Sequence, residues 1–156
     1  MTPESPENDQ KLRSGFTTGT CATAAAGAAA RLLLLNEQVK FIKVALPRGG
    51  ELSIPIAYCK ALAEGADAGV IKDAGDDPEV TQGALVFVQL SLSSTQSVSF
   101  HAGPGVGTVT RAGLSLAIGE PAINPIPRQM IQQQLAQVAK LKAYAGGVKV
   151  VIGVEN

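Results

Sequence analysis

The densest group of reactive side chains lies in the stretch Lys72–Glu79, which reads KDAGDDPE. Neighbouring carboxylates raise one another's pKa, which is one way to obtain a general acid or base near neutral pH. Carboxylates also suit a hard cation, but the spacing of an EF-hand loop is absent. A solvated turn is the alternative interpretation. The candidate catalytic residues are Asp73, Asp76 and Asp77, with Lys72 as a candidate substrate ligand and no predicted metal site.

A second group of polar residues precedes an alanine-rich segment, where residues 14–21 read SGFTTGTC. Glycine allows a ligand to approach the backbone closely, and a helix N-terminus attracts anions through its free N–H groups and its dipole. The lysine of a P-loop is missing. An ordinary capped helix start is the competing interpretation. The candidate substrate-binding residues in this segment are Thr17, Thr18, Gly19 and Thr20.

Two further segments combine glycine or proline with polar side chains. Residues 103–112 read GPGVGTVTRA, which could cradle a phosphate or carboxylate but does not have the Rossmann spacing. Residues 119–128 read GEPAINPIPR, in which the prolines stiffen the backbone and could aim polar side chains at a ligand. A stiff linker is the alternative for the second segment. The candidate substrate-binding residues are Gly103, Gly105, Gly107, Thr110, Arg111, Glu120, Asn124 and Arg128.

The two cysteines, Cys21 and Cys59, indicate a reducing compartment, although one disulfide between them remains possible. Cys21 lies near a predicted helix N-terminus, where a thiol can become nucleophilic. The only histidine, His101, is distant in sequence. We therefore predict that Cys21 is a small buried thiol that packs the helix.

The elements that must position these segments follow from hydrophobic patterning. An Ala/Leu helix is predicted over residues 21–35, buried on more than one side and ended by Asn36. Strands are expected at Val39–Leu46 and Glu51–Ile56, joined by a PRGG turn into a hairpin, and at Ala68–Ile71. The runs Ala84–Leu92 and Ser97–His101 suggest a second hairpin. A helix over Arg128–Tyr144 and a central or parallel strand over Val148–Val154 complete the pattern.

These elements predict an α+β fold, a two-layer sandwich in which the N-terminal Ala-rich helix and a C-terminal helix pack on a mixed or antiparallel sheet. Residues 1–13 are polar and proline-bearing, so we expect a disordered tail before one domain over residues 14–156. A strand at the end of the chain either closes the sheet or indicates that the chain is the front part of something longer.

Composition narrows the possible function classes. The chain has 156 residues, 13 lysines plus arginines and 13 aspartates plus glutamates, so its formal net charge is zero. A binder of nucleic acid or of a membrane surface would need excess cations, and the 4% aromatic content leaves few stacking platforms. The N-terminus lacks the apolar core of a signal peptide, and the longest apolar window is shorter than a bilayer requires. We expect a cytoplasmic protein.

Four segments, in this order, resemble the CbiD family of cobalt-precorrin-5B C1-methyltransferases: GFTTGTCATAAAGAA, VIKDAGDDPEVTQGA, GPGVGTVTRAGL and GEPAINPIPRQMI. The resemblance runs from about Ser14 to the end of the chain. Glu79, Gln82 and the pair Arg111-Ala112 depart from the family pattern, where aspartate, histidine and a lysine–proline pair are expected. No base is therefore predicted at position 82.

The resemblance implies methyl transfer from S-adenosylmethionine to C-1 of cobalt-precorrin-5B, giving cobalt-precorrin-6A in anaerobic cobalamin biosynthesis. Family members are about twice as long, and the resemblance places this chain at their N-terminal part. The family's C-terminal domain, expected to hold most of the S-adenosylmethionine site, would then be absent and this chain inactive by itself. The implied partner is a small cobalt corrinoid, and a homo-oligomer is possible.

Two other functions remain open from the residues alone. The glycine-rich segment could bind a nucleotide phosphate in a small-molecule kinase. The domain could also be a noncatalytic corrinoid-binding module.

Overall fold

The computed structural model describes residues 17–72, 83–95, 97–106, 125–142 and 144–155. Two helices and two sheets make up this part of the chain, which confirms the predicted α+β class. The tail predicted at residues 1–13 lies outside the described residues. In chain order the elements are α1 (Thr18–Leu35), β1 (Phe41–Ala45), β2 (Glu51–Pro55), β3 (Tyr58–Leu62), β4 (Gly65–Ile71), β5 (Leu85–Ser93), β6 (Val98–Ala102), α2 (Pro125–Lys142) and β7 (Gly147–Glu155).

Helix α1 is surrounded by protein on several sides, as its alanine-rich sequence predicts. Every residue from Thr20 to Ala30 is buried, and the helix contacts α2 and strands of both sheets. Small side chains make this close approach possible. The helix ends where predicted, because Asn36 adopts a left-handed conformation and its N–H donates to the Leu32 carbonyl.

The predicted apolar window was too short, because by length and composition α1 could cross a membrane: the whole helix forms one apolar window of 18 residues. Of that window, 61% is buried inside the domain. This burial is what the core helix of a folded domain shows.

The larger sheet has five strands in the order β3-β4-β5-β7-β6. Its buried face presents Val86, Val88 and Leu90 from β5 beside Val150 and Ile152 from β7. Strand β7 pairs antiparallel with β5 and parallel with β6, so the prediction of a central or parallel strand at the end of the sequence is confirmed.

The second predicted hairpin is wrong, because β5 and β6 pair with opposite sides of β7 and not with each other. Burial explains the arrangement. The alternate residues Val148, Val150 and Ile152 of β7 are all buried, which suits the strand to an interior position. No residue of β6 is fully buried, and this strand lies at the edge.

The PRGG hairpin is confirmed as a separate two-stranded sheet of β1 and β2. Gly49 and Gly50 have positive φ angles of 99° and 81°, which glycine adopts without the steric cost of a side chain. The hairpin adds Ile42, Val44 and Ile54 to the core.

Helices α1 and α2 lie side by side and run in the same direction. Gly19 of α1 lies against Pro127 of α2, and about two turns further along both helices Gly27 lies against Gln134. Both N-termini are therefore at one end of the domain. Helix α2 begins three residues before the predicted Arg128, and it buries Ile131, Leu135 and Val138 among the residues that it turns inward.

Candidate functional site

Described residues of all four sequence segments lie at the end of the domain that holds the helix N-termini. The C-terminus of α1 marks the opposite end, where Leu33 and Asn36 share a groove with Leu62 and Gly65, the turn between β3 and β4. Strand β4 starts there and runs away from it. The end of β4, the end of β6 and the first turns of α1 and α2 consequently share the other end, which we call the loop end.

At the loop end, Thr17 caps α1. The Thr20 backbone N–H donates to the Thr17 hydroxyl oxygen at 3.0 Å, and the two hydroxyl oxygens are 2.8 Å apart. The Thr23 hydroxyl donates to the Gly19 carbonyl. Within the described part of the chain, no partner is found for the N–H groups of Thr18 and Gly19. The capping interpretation of this segment is confirmed, and two backbone donors remain at the helix end.

Helix α2 brings a cation to the same end. The Arg128 guanidinium lies 5.4 Å from the centroid of the Phe100 ring on β6, within cation–π distance. Gly19 accounts for the close approach of the helices, because a Cβ there would lie 2.9 Å from the Pro127 ring. Two parallel helix dipoles with their positive ends together favour a negatively charged ligand at the loop end.

The sheet contributes the positions where the loops leave it. The Lys72 N–H donates to the Ala84 carbonyl at 2.7 Å, and the Gly83 N–H returns a bond to the Lys72 carbonyl. These bonds close the base of the segment that carries the acidic residues. Residue 72 therefore lies where β4 ends, beside the first residues of β5.

The glycine-rich segment begins along the end of β7. The Gly103 N–H donates to the Ile152 carbonyl, and the Val154 N–H donates to the Pro104 carbonyl, both at 2.7 Å. Gly105 has a φ of 77° and lies against the Val154 carbonyl, so a side chain would be excluded there. Packing against β7 explains Gly103 and Gly105, and a role in ligand binding stays a prediction.

The structure thus brings together at the loop end Thr17, Thr18, Gly19, Thr20, Lys72, Gly103, Gly105 and Arg128. The remaining candidates, Asp73, Asp76, Asp77, Gly107, Thr110, Arg111, Glu120 and Asn124, lie outside the described residues. Among the residues that are described, no cluster of three or more His, Cys, Asp or Glu side chains could hold a metal ion.

Both cysteines lie in the described part of the chain, and neither forms a disulfide. Cys21 is fully buried in α1, in agreement with the predicted packing thiol. The Cys59 thiol donates to the Ala28 carbonyl at 3.5 Å. Burial, and secondarily the charge of Asp67, raises the pKa of Cys59, so this thiol is held in its unreactive neutral form.

A buried carboxylate that no sequence pattern singles out lies on the other face of the large sheet. Asp67 is 7% exposed and accepts a hydrogen bond of 3.0 Å from the Tyr58 hydroxyl. Burial raises the pKa of Tyr58, and the hydrogen bond to Asp67 and its charge raise it further. The two residues are on adjacent strands, β3 and β4, so only the strand register brings them together.

Comparison with known proteins gives a consistent result. The CbiD family profile matches residues 5–156. Cobalt-precorrin-5B C(1)-methyltransferases from Pseudomonas aeruginosa strain LESB58 and Burkholderia cenocepacia are 57% and 55% identical over all 156 residues. The chain spans 43% of the length of these relatives.

A crystal structure of the cobalamin biosynthesis protein CbiD from Archaeoglobus fulgidus is also similar, with a TM-score of 0.64 and 30% sequence identity. The similarity covers 90% of this chain and 44% of that protein. With a family profile that matches from residue 5 to the last residue, this chain belongs to the CbiD family.

Proposed function

We propose that the protein acts in the S-adenosylmethionine-dependent methylation of cobalt-precorrin-5B at C-1, which yields cobalt-precorrin-6A in anaerobic cobalamin biosynthesis. The observation that carries this proposal is the 57% identity, over the whole chain, with proteins named cobalt-precorrin-5B C(1)-methyltransferase. Because the chain spans 43% of those relatives, the complete activity is proposed for a protein of their length. We further propose a cytoplasmic location.

The chemistry at the loop end suits such a substrate. A cobalt-precorrin is a macrocycle fringed with acetate and propionate carboxylates. The N–H groups of Thr18 and Gly19, the parallel helix dipoles and the Arg128 guanidinium would bind carboxylates of this kind. Lys72, at the end of β4, would add a second cation.

Methyl transfer itself is an in-line displacement. An electron pair on the macrocycle carbon forms the new carbon–carbon bond, the bond from the methyl group to sulfur breaks, and the sulfonium leaves as a neutral thioether. Catalysis then depends mainly on holding the two reactants in line. We propose that this domain holds the macrocycle, and that Asp73, Asp76 or Asp77 adjusts its protonation.

The acidic segment provides the direct test. In a protein of the relatives' full length that contains these residues, Asp76→Asn and Asp77→Asn should change the free energy of unfolding by no more than about 0.5 kcal/mol. At least one of them should strongly lower methyl transfer from S-adenosylmethionine to cobalt-precorrin-5B. Glu64→Gln, an exposed carboxylate in the turn between β3 and β4, is the matched control and should leave turnover unchanged. Wild-type turnover in both aspartate variants would mean that the acidic segment is only a solvated turn without a role in catalysis.

Binding and turnover can be separated with the 156-residue chain. Its absorbance titration with cobalt-precorrin-5B, with and without S-adenosylmethionine, should show that the chain binds the corrinoid. We assign that binding to the loop end. Binding without turnover in a chain of the relatives' full length would favour the noncatalytic corrinoid-binding alternative.

A further inference from the structure

A polar cleft lies between α2 and the β1–β2 hairpin. Its walls include Lys43 and Glu51 from the hairpin and Gln133, Gln134 and Gln137 from α2. The cleft has a volume of about 40 Å³. That is room for about three water molecules or for a small polar head group.

Gln134 is the unusual residue of this cleft. It is 8% exposed, and its amide has no hydrogen-bond partner among the residues that the structure describes. Its side chain lies on Gly27 of α1, where a Cβ would be 2.9 Å from the Gln134 amide nitrogen. Burying an unpaired amide costs about 1–3 kcal/mol, and buried polar groups in native proteins nearly always bond to protein, water or a ligand. The position is therefore built for a bonding partner that enters the cleft.

The two charged residues of the cleft define the chemistry of that partner. Lys43 and Glu51 are on adjacent strands, and in the described part of the chain neither forms an ion pair. Beside the Gln134 amide, the Lys43 ammonium group complements the carboxylate of an α-amino acid. The Glu51 carboxylate complements its ammonium group. A ligand with only a carboxylate would face the uncompensated charge of Glu51.

The cleft adjoins a larger groove of about 240 Å³, with which it shares Ala45, Met130 and Gln133. This groove runs past Ile126 to the first turn of α2, at the loop end. A ligand anchored by its head group at Gln134 could therefore extend toward the place where the corrinoid is proposed to bind.

We propose that Gln134, Lys43 and Glu51 bind the α-amino-acid group of the methyl donor, so that this domain supplies part of the donor site. The identification of the ligand as S-adenosylmethionine rests on the proposed function. It also revises the expectation that the donor site lies mostly in another domain. The amino-acid group fills the cleft, and the remainder of the donor follows the groove toward the helix N-termini.

The test is a titration of the ¹⁵N-labelled 156-residue chain, followed by NMR, with S-adenosylmethionine, L-methionine and adenosine as separate probes. S-adenosylmethionine and L-methionine should shift the Gln134 side-chain amide signals, and adenosine, which lacks the amino-acid group, should leave them unchanged. Gln134→Leu should weaken S-adenosylmethionine binding at least tenfold. Glu51→Gln, at an exposed position, should weaken it as well and does not disturb the core.

Gln132→Leu is the matched control, because Gln132 is exposed on α2 and does not line the cleft. Its binding should equal that of the wild type. If none of the probes moves the Gln134 signals, or if Gln134→Leu binds as tightly as the wild type, the cleft holds only water and the inference is wrong. Methyl transfer to the corrinoid is measured separately in a protein of the relatives' full length. Its absence there, with donor binding intact, would contradict the proposed function and leave the amino-acid site standing.

Discussion

Gly19 and Gly27 have different neighbours, although both allow α1 to approach α2. Gly19 meets the rigid ring of Pro127, whereas Gly27 meets the Cγ and the amide of the flexible Gln134 side chain. A new methyl group can push aside a glutamine side chain more easily than a proline ring. The same substitution should consequently have different effects at the two positions.

We predict that Gly19→Ala lowers the free energy of unfolding by about 1–3 kcal/mol, the usual cost of overpacking, measured by urea denaturation. Gly27→Ala should change it less, because alanine is favoured over glycine in a helix by about 1 kcal/mol and Gln134 can move. Equal losses in the two variants would contradict this account of the helix contact. If Gly19→Ala also weakens corrinoid binding, displaced helix ends and a blocked backbone would both contribute to that loss.

Residues that act through their immediate sequence neighbours were predictable. The cap at Thr17 and the helix end at Asn36 follow from local chemistry, and the structure has both. The bond from Tyr58 to Asp67 and the position of Gln134 on Gly27 were not predictable, because each depends on the register or the approach of two separate elements.

At the scale of elements, the mixed part of the large sheet depends on how β7 fits beside β5. The Phe87 ring of β5 lies over Gly153 of β7, in the space where a side chain at 153 would be. Phe87 is 8% exposed, so the ring is buried by this arrangement. This contact joins two neighbouring strands that are distant in sequence.

A double-mutant cycle tests this contact. Gly153→Ala should lower the free energy of unfolding by about 1–3 kcal/mol, because the methyl group collides with the ring. In Phe87→Leu, which removes the ring, the same change at 153 should cost less, giving a coupling between the two sites of about 0.5–3 kcal/mol. Additive losses in chemical denaturation would show that the ring and the glycine do not interact.

The strand pairing also marks the limit of prediction from the sequence at this scale. The PRGG turn identified its hairpin because both strands and the glycines are contiguous. The polar turn after β5 suggested a second hairpin for the same reason. That prediction is wrong because β7 pairs with the same edge of β5. Strand β7 has buried apolar residues at alternate positions and is more apolar than β6. Strand β3 was missed because an edge strand that is largely exposed carries little hydrophobic alternation.

On the scale of the whole molecule, the two ends of the domain differ in chemistry. The loop end collects helix N-termini and cations, whereas the opposite end has an open groove of about 510 Å³ lined by leucines such as Leu32, Leu62 and Leu92. Between them, two protonated groups, Tyr58 and Cys59, lie on opposite faces of the edge strand β3. These groups give the molecule a predictable response to alkaline pH.

The pKa of Tyr58 and that of Cys59 are both higher in the folded than in the unfolded chain. Because the pKa of each group is lower in the unfolded chain, the unfolded chain releases each proton first as the pH rises. The free energy of unfolding should therefore fall above about pH 8.5, the ordinary cysteine pKa, and fall further above about pH 10, the ordinary tyrosine pKa. Urea denaturation at a series of pH values measures both steps.

Cys59→Ala should make the first step smaller, and Tyr58→Phe should make the second step smaller. Tyr58→Phe should also be less stable at neutral pH, because Asp67 loses its hydrogen-bond donor. A slope above pH 10 that is the same in Tyr58→Phe as in the wild type would assign the alkaline loss to other groups.

The interior position of β7 has a consequence for the order in which the protein assembles. It is the last of the described strands in the sequence, yet it separates β5 from β6 and supplies the partner of each. During synthesis on the ribosome, β3, β4 and β5 can pair as soon as they emerge, because each antiparallel neighbour is adjacent in sequence. Among the described strands, β6 has no partner until the nine residues of β7 arrive. Until then the nascent domain carries an open edge on β5 and an unpaired β6, the kind of exposed backbone that chaperones protect and other chains can capture.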